Sequence, residues 1–196
     1  ETQDTGENFF FFGQNDYLTA RCQCERCLKS VDENGGYSGV NIRFLNLLLQ
    51  EIRKWMQEQG IDRHIRLGTF AYQFTQYAPV EKDENGNYRA VNDSVIPDRD
   101  LFIRIAINNS NEYYSLFDSH QEEGTRRQFE MWGALTGNLM VWTYEMNAYE
   151  YLWYFPTVYK YAENIRKFKD YGLVYVMFQH NYNGFGSWQA DMHTYV

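Results

Sequence analysis

The chain has 196 residues, 44% of them hydrophobic and 18% aromatic, with a formal net charge of -8. That length is enough for one domain with a substantial core. An acidic balance without any Lys/Arg block excludes nucleic acid as a natural partner, because such binding rests on clustered cations, and no apolar run approaches the roughly 18 residues that mark a membrane span.

The opening residues, Glu1 to Glu7, are polar and do not read as a signal peptide. Phe9 to Phe12 is a short apolar run suited to a buried strand, and it ends in Gln14-Asn15-Asp16. Cys22, Cys24 and Cys27 follow as C-x-C-x-x-C, and a loop rich in Gly, Asn and Asp leads to Gly36. Ser38 is placed to cap a helix that runs to Gln59 and is stopped by Gly60. Its apolar face takes in Val40, Phe44, Leu47, Leu48, Ile52 and Trp55, with Arg43, Asn46, Gln50, Arg53 and Gln57 opposite. Ile65 to Phe74 reads as a second strand, and residues 80–99, centred on Glu84 to Asn87, as an inserted surface loop or hairpin.

Leu101 to Ile107 is the third strand and ends in Asn108-Asn109. A short helix is expected over Gln128 to Leu135, and the fourth strand runs from Asn138 through Tyr144 into Glu145. Pro156 opens a further helix that Gly172 ends, Leu173 to Phe178 is the fifth strand, and Ser187 to Val196 begins a last helix. This alternation predicts an α/β fold with a parallel sheet and outer helices. Five units fall short of an eight-stranded barrel of about 250 residues. The expectation is therefore a single domain, 1–196, forming the last five units of a partial (β/α)8 TIM-type barrel, with an open doubly wound sheet as the alternative. A sheet cut from its upstream units should leave an apolar edge and self-associate.

Polar residues stand after every strand, at the end where α/β proteins carry their sites. Two are acids, Asp16 after the first strand and Glu145 after the fourth, and glycosidic cleavage uses such a pair, one carboxyl protonating the leaving oxygen while the other attacks or activates water. A carboxyl separation of about 5 to 5.5 Å favours retention and roughly 6.5 to 9.5 Å inversion. Asn15, Tyr72, Gln73, Asn108, Asn109, Trp142, Tyr144, His180, Asn181 and Trp188 form a candidate wall for a hydroxyl-rich ligand, with rings to stack and amides that both donate and accept. Arg104, flanked by apolar residues within a strand, needs an anionic partner if it points inward, namely Asp16, Glu145 or a substrate carboxylate; the alternative is an outward Arg paired with helix charge. The three cysteines lie close enough to share a soft cation, structurally if at all, with His120 and His180 as conceivable further ligands. Reduced thiols and a local disulfide are the other readings. No phosphate-binding glycine motif and no serine-nucleophile elbow is present, and no cofactor is expected for catalysis.

Asn15-Asp16, Cys22 to Cys27, Ser38-Gly39, Arg43 to Asn46, Ala71 to Thr75 before Pro79, Phe102 to Arg104, Val141 to Tyr144 and Phe155-Pro156 occur in an order that resembles the bacterial family catalogued as domain of unknown function 4838. The resemblance covers nearly the whole chain. It implies the C-terminal part of a glycoside-hydrolase-like barrel, beginning near its fourth strand and often behind an N-terminal domain similar to that of α-glucuronidases. It also implies secreted, periplasmic or surface proteins of polysaccharide-degrading bacteria. Two positions depart from the family pattern. Ile105-Ala106 stands where the family carries a cysteine after the strand's Arg, and Thr143 stands where it carries Asp between Trp and Tyr. The expected function is a glycoside hydrolase acting through Asp16 and Glu145, with a non-catalytic carbohydrate-binding barrel as the alternative.

Overall fold

The structure is a computed structural model and describes residues 8–16, 21–107, 110–111, 113–121, 123–144 and 158–179. Five strands form one parallel sheet: β1 (Phe9–Phe12), β2 (Arg66–Ala71), β5 (Leu101–Ala106), β6 (Leu139–Tyr144) and β7 (Leu173–Gln179), paired in that order. The helices between them are α1 (Glu25–Glu33), α2 (Tyr37–Glu58), α3 (Glu123–Gly133) and α4 (Val158–Asp170). A small antiparallel hairpin, β3 (Val80–Lys82) and β4 (Tyr88–Ala90), stands apart from the sheet, its turn closed by the Asp83 carboxylate accepting from the backbone of Asn85 and Asn87. Among the described residues the sheet is open, not a closed barrel. No described helix is long and apolar enough to cross a membrane.

The strands follow one another across the sheet without a reversal, and α2, α3 and α4 all pack on the same face. There Ile42, Leu45 and Leu49 of α2, Phe129 and Trp132 of α3 and Phe168 of α4 meet Leu67, Ala71, Leu101, Ile103, Ile105, Leu139 and Val141. A doubly wound sheet would reverse its order and carry helices on both faces; neither occurs among the described residues.

Two local expectations change. The segment from Cys24 to Gly36 is mostly helix rather than loop, and the break before α2 falls at Gly36, whose φ of 119° suits glycine. Gly36, not Ser38, is the residue before the first turn, and Ser38 lies buried within it. The core face of α2 is Ile42, Leu45, Leu49 and Met56, while Phe44, Leu47 and Trp55 remain more than half exposed. The helix is apolar around most of its girth, so periodicity alone permits either stripe. Of the exposed stripe, Trp55 adjoins Phe10 and Phe12 of edge strand β1, and these three with Ile52, Met56 and Ile61 line an apolar groove of about 390 Å³.

Candidate functional site

Side chains alternate along a strand, so the residues opposite the helix layer form a second set. In register across the sheet these are Phe11, Gly68 and Phe102, then Phe70, Arg104, Met140 and Tyr175, then Ala106, Trp142 and Met177, then Tyr144 and Gln179. Gly68 has a steric role here. A Cβ would lie 2.6 Å from the Phe11 ring and 2.7 Å from that of Phe9, and its absence lets Phe9 reach over β2 to Phe102, with centroids 5.6 Å apart. Phe70 touches Phe11, Tyr72 and Trp142, and Trp142 stacks on Tyr144 at 6.1 Å. The result is a continuous aromatic floor.

At the C-terminal end of the strands this floor opens into a cleft of about 480 Å³, lined by Gln14, Asn15, Asp16, Phe70, Tyr72, Ala106, Trp142, Tyr144 and Gln179. That volume suits a small ligand. The β1 side of the cleft is held by hydrogen bonds of side-chain amides. Gln14 donates Nε2 to the Tyr72 carbonyl (2.7 Å) and accepts from the Thr75 hydroxyl (2.6 Å). Gln73 donates Nε2 to the Asp16 carbonyl (2.9 Å). Gln73 has a φ of 52°, the one positive value at a non-glycine among the described residues, so a strained turn after β2 fixes the loop that carries Asp16.

The structure thus brings Asn15, Asp16, Tyr72, Trp142 and Tyr144 to one cleft. Gln73 braces the Asp16 loop from outside the lining, and Arg104 lies one row below the mouth. Glu145, Asn108, Asn109, His180, Asn181 and Trp188 lie outside the described residues, and with them the Asp16 to Glu145 separation. Gln14, Phe70, Ala106 and Gln179 were missed as lining residues. Gln14 and Gln179 carried the same signal as the amides chosen, a polar residue just past an apolar strand, and Phe70 and Ala106 became visible only through the strand register.

Cys22, Cys24 and Cys27 stand at the start of α1 with their sulfurs all within 4.8 Å of one another. None is in a disulfide, and the Cys22 and Cys24 sulfurs are 3.5 Å apart. Tetrahedral zinc with Zn–S bonds of about 2.3 Å needs sulfurs ~3.8 Å apart, so this cluster could hold a metal. The backbone N–H of Cys27, and then the Cys22 side chain, bring the Cys24 thiol down to about 7, whereas hydrogen bonds to Cys22 and Cys24 push Cys27 up to about 11. One thiolate thus forms readily, and the remaining protons are released when a cation takes their place. His120 is stacked on Tyr114 and bonded to Asp118 instead, outside the group of sulfurs.

Residues 2–196 match the family described as a domain of unknown function, DUF4838. The chain belongs to that family. No curated protein and no solved structure matches it. Thr143 and Ile105 are buried on the helix side of the sheet. Any side chain at 143 therefore points away from the aromatic cleft.

Proposed function

We propose that the chain is the C-terminal portion of a glycosidase-like (β/α)8 barrel and that its cleft binds a carbohydrate and hydrolyses a glycosidic bond, with Asp16 and Glu145 as the carboxylate pair. The observation that carries this reading is the cleft itself. A tryptophan stacked on a tyrosine, three amides and a carboxylate converge where parallel strands end, and such surfaces suit sugar rings with an apolar face and a polar rim. Unreversed strand order with helices on one face supports the barrel, in which the aromatic floor would face the interior. The upstream barrel half would then cover β1 and the Phe10, Phe12 and Trp55 groove, alongside an N-terminal domain. On the family resemblance, the setting is polysaccharide breakdown in the periplasm, at the surface of or outside a bacterium.

The test is paired measurement of binding and of released reducing sugar on an oligosaccharide panel. Trp142→Ala should weaken binding about tenfold, the size of one lost ring contact of roughly 1.4 kcal/mol; unchanged affinity would remove the sugar from this wall. One observation favours the non-catalytic alternative: among the described residues, Asp16 is the only carboxylate lining the cleft. Binding without released sugar would establish that alternative.

For the cysteine cluster we propose a structural zinc ion, the three thiolates supplying charge and softness and a fourth ligand completing the tetrahedron. Zinc bound by the purified protein should approach one per chain and fall below about a tenth in Cys24→Ser, with a lower thermal midpoint. Equal zinc content in both proteins would refute the site.

A further inference from the structure

Arg104 has the side chain of an ion pair and none of the usual partners among the described residues. It sits mid-strand in β5, half-buried, with its guanidinium carbon 4.4 Å from the centroid of Phe11 and 5.9 Å from those of Phe70 and Tyr175. Its Nε is buried and has no hydrogen-bond acceptor, and no carboxylate pairs with the guanidinium among the described residues. Burial pulls its pKa below the ordinary guanidinium range. Aromatic faces attract a cation but cannot accept its in-plane N–H groups, so the cage holds the charge and leaves the buried Nε–H without an acceptor.

The position of the cage relative to the cleft indicates what completes it. Arg104 lies two residues before Ala106 on the same strand and face, one row or ~6.6 Å deeper. Ala106, with only a methyl group, forms the cleft floor directly above it, and Phe70 both lines the cleft and touches Arg104. Trp142, paired with Ala106 on the next strand, has an indole N–H that is also buried without an acceptor. Two unmet donors thus stand in adjacent rows against one ring, Phe70, beneath a small residue.

The geometry points to an acid-binding subsite: Arg104, assisted by the Trp142 N–H, takes the carboxylate of an acidic sugar, a uronic acid residue, whose ring lies in the cleft above. A planar carboxylate suits this arrangement because its two oxygens match the guanidinium fork and it enters edge-on between aromatic faces, supplying the acceptors that the cage lacks. A neutral sugar would leave the same donors unpaired, and this asymmetry is what makes polar recognition selective. The inference rests on the carbohydrate reading of the cleft and adds the substrate class to it.

The test compares two oligosaccharides of the same linkage and length, one ending in glucose and one in glucuronic acid, by calorimetric titration of the full-length protein. The wild type should bind the acid at least tenfold more tightly, with the advantage shrinking as salt is added. In Arg104→Met the acid-to-neutral ratio should fall to about one, and Arg104→Lys should keep part of it. Trp142→Phe, which removes the N–H but keeps a ring, should lower the ratio several-fold. Equal wild-type affinities for the two sugars, or a ratio that survives in Arg104→Met, would overturn the subsite while leaving a neutral-sugar cleft intact. Binding of neither sugar would instead bring down the carbohydrate reading, and the subsite with it. The wild-type comparison decides the matter even if the Arg104 variants fold poorly.

Discussion

Arg53→Met is expected to destabilise the fold by about 2 to 3 kcal/mol at neutral pH, lowering the thermal midpoint by about 5 to 10 °C. Arg53 reaches from α2 to the entrance of β5, where its two terminal nitrogens meet the Asp98 carboxylate at 2.7 and 2.6 Å and one of them meets Asp100 at 2.6 Å. His64 lies 2.6 Å from the other Asp100 oxygen. The Asp100 side chain is only 7% exposed, so losing Arg53 leaves a buried carboxylate beside a second one. The figure falls at or below the low end for a broken buried pair, because Arg53 itself is 38% exposed and partly screened.

The same cluster fixes the pH dependence. Arg53 hydrogen bonds hold Asp98 below the usual carboxylate range. For Asp100 burial pushes upward, but the bonds from His64 and Arg53 outweigh it and the net shift is downward. Carboxylates with depressed folded-state values contribute stability above the unfolded value near 4 and lose it as pH falls through the folded values. The gap between wild type and Arg53→Met should therefore be full at pH 7 and narrow below about pH 4. Circular dichroism melts at pH 7 and pH 3 measure both, and a gap of equal size at the two values would show that the carboxylates are not its source.

The sheet was legible because each strand is a short apolar run closed by polar residues, and the runs at Phe9, Leu101 and Leu173 start within a residue or two of the observed strands. The helix α1 was hidden by composition: Glu25–Glu33 is mostly polar, buries no residue and reads as loop. On α2, Phe44 and Trp55 outweigh Ile42 and Leu45 by size, yet they border β1 rather than the core, and no local pattern distinguishes a stripe facing a sheet from one facing its edge. The site was half legible. Residues just past strand ends, such as Asp16 and Tyr72, follow from the alternation of elements. Which residues share a row, and so that Ala106 lies over Arg104 beside Trp142, depends on long-range strand pairing that composition does not encode.

On the proposed glycosidase reading, Asp16→Asn is expected to lower kcat for oligosaccharide cleavage about a thousandfold, within the range for loss of a positioned proton-transfer group, while binding changes by no more than a few-fold. The argument runs through position. Asp16 lies at the exposed rim of the cleft, two residues beyond Gln14, and its own carbonyl is held by the strained Gln73, so the carboxylate is presented by a braced loop. Asparagine keeps the shape and one acceptor oxygen but can neither ionise nor carry the proton to the leaving oxygen. Glu145→Gln should act alike if the two acids share one bond, and the double variant should then lose little beyond either single one, because residues that act as a unit are not additive. Full turnover in both single variants, measured on a substrate the wild type cleaves, would move the chemistry to other residues and leave the aromatic cleft as a binding surface.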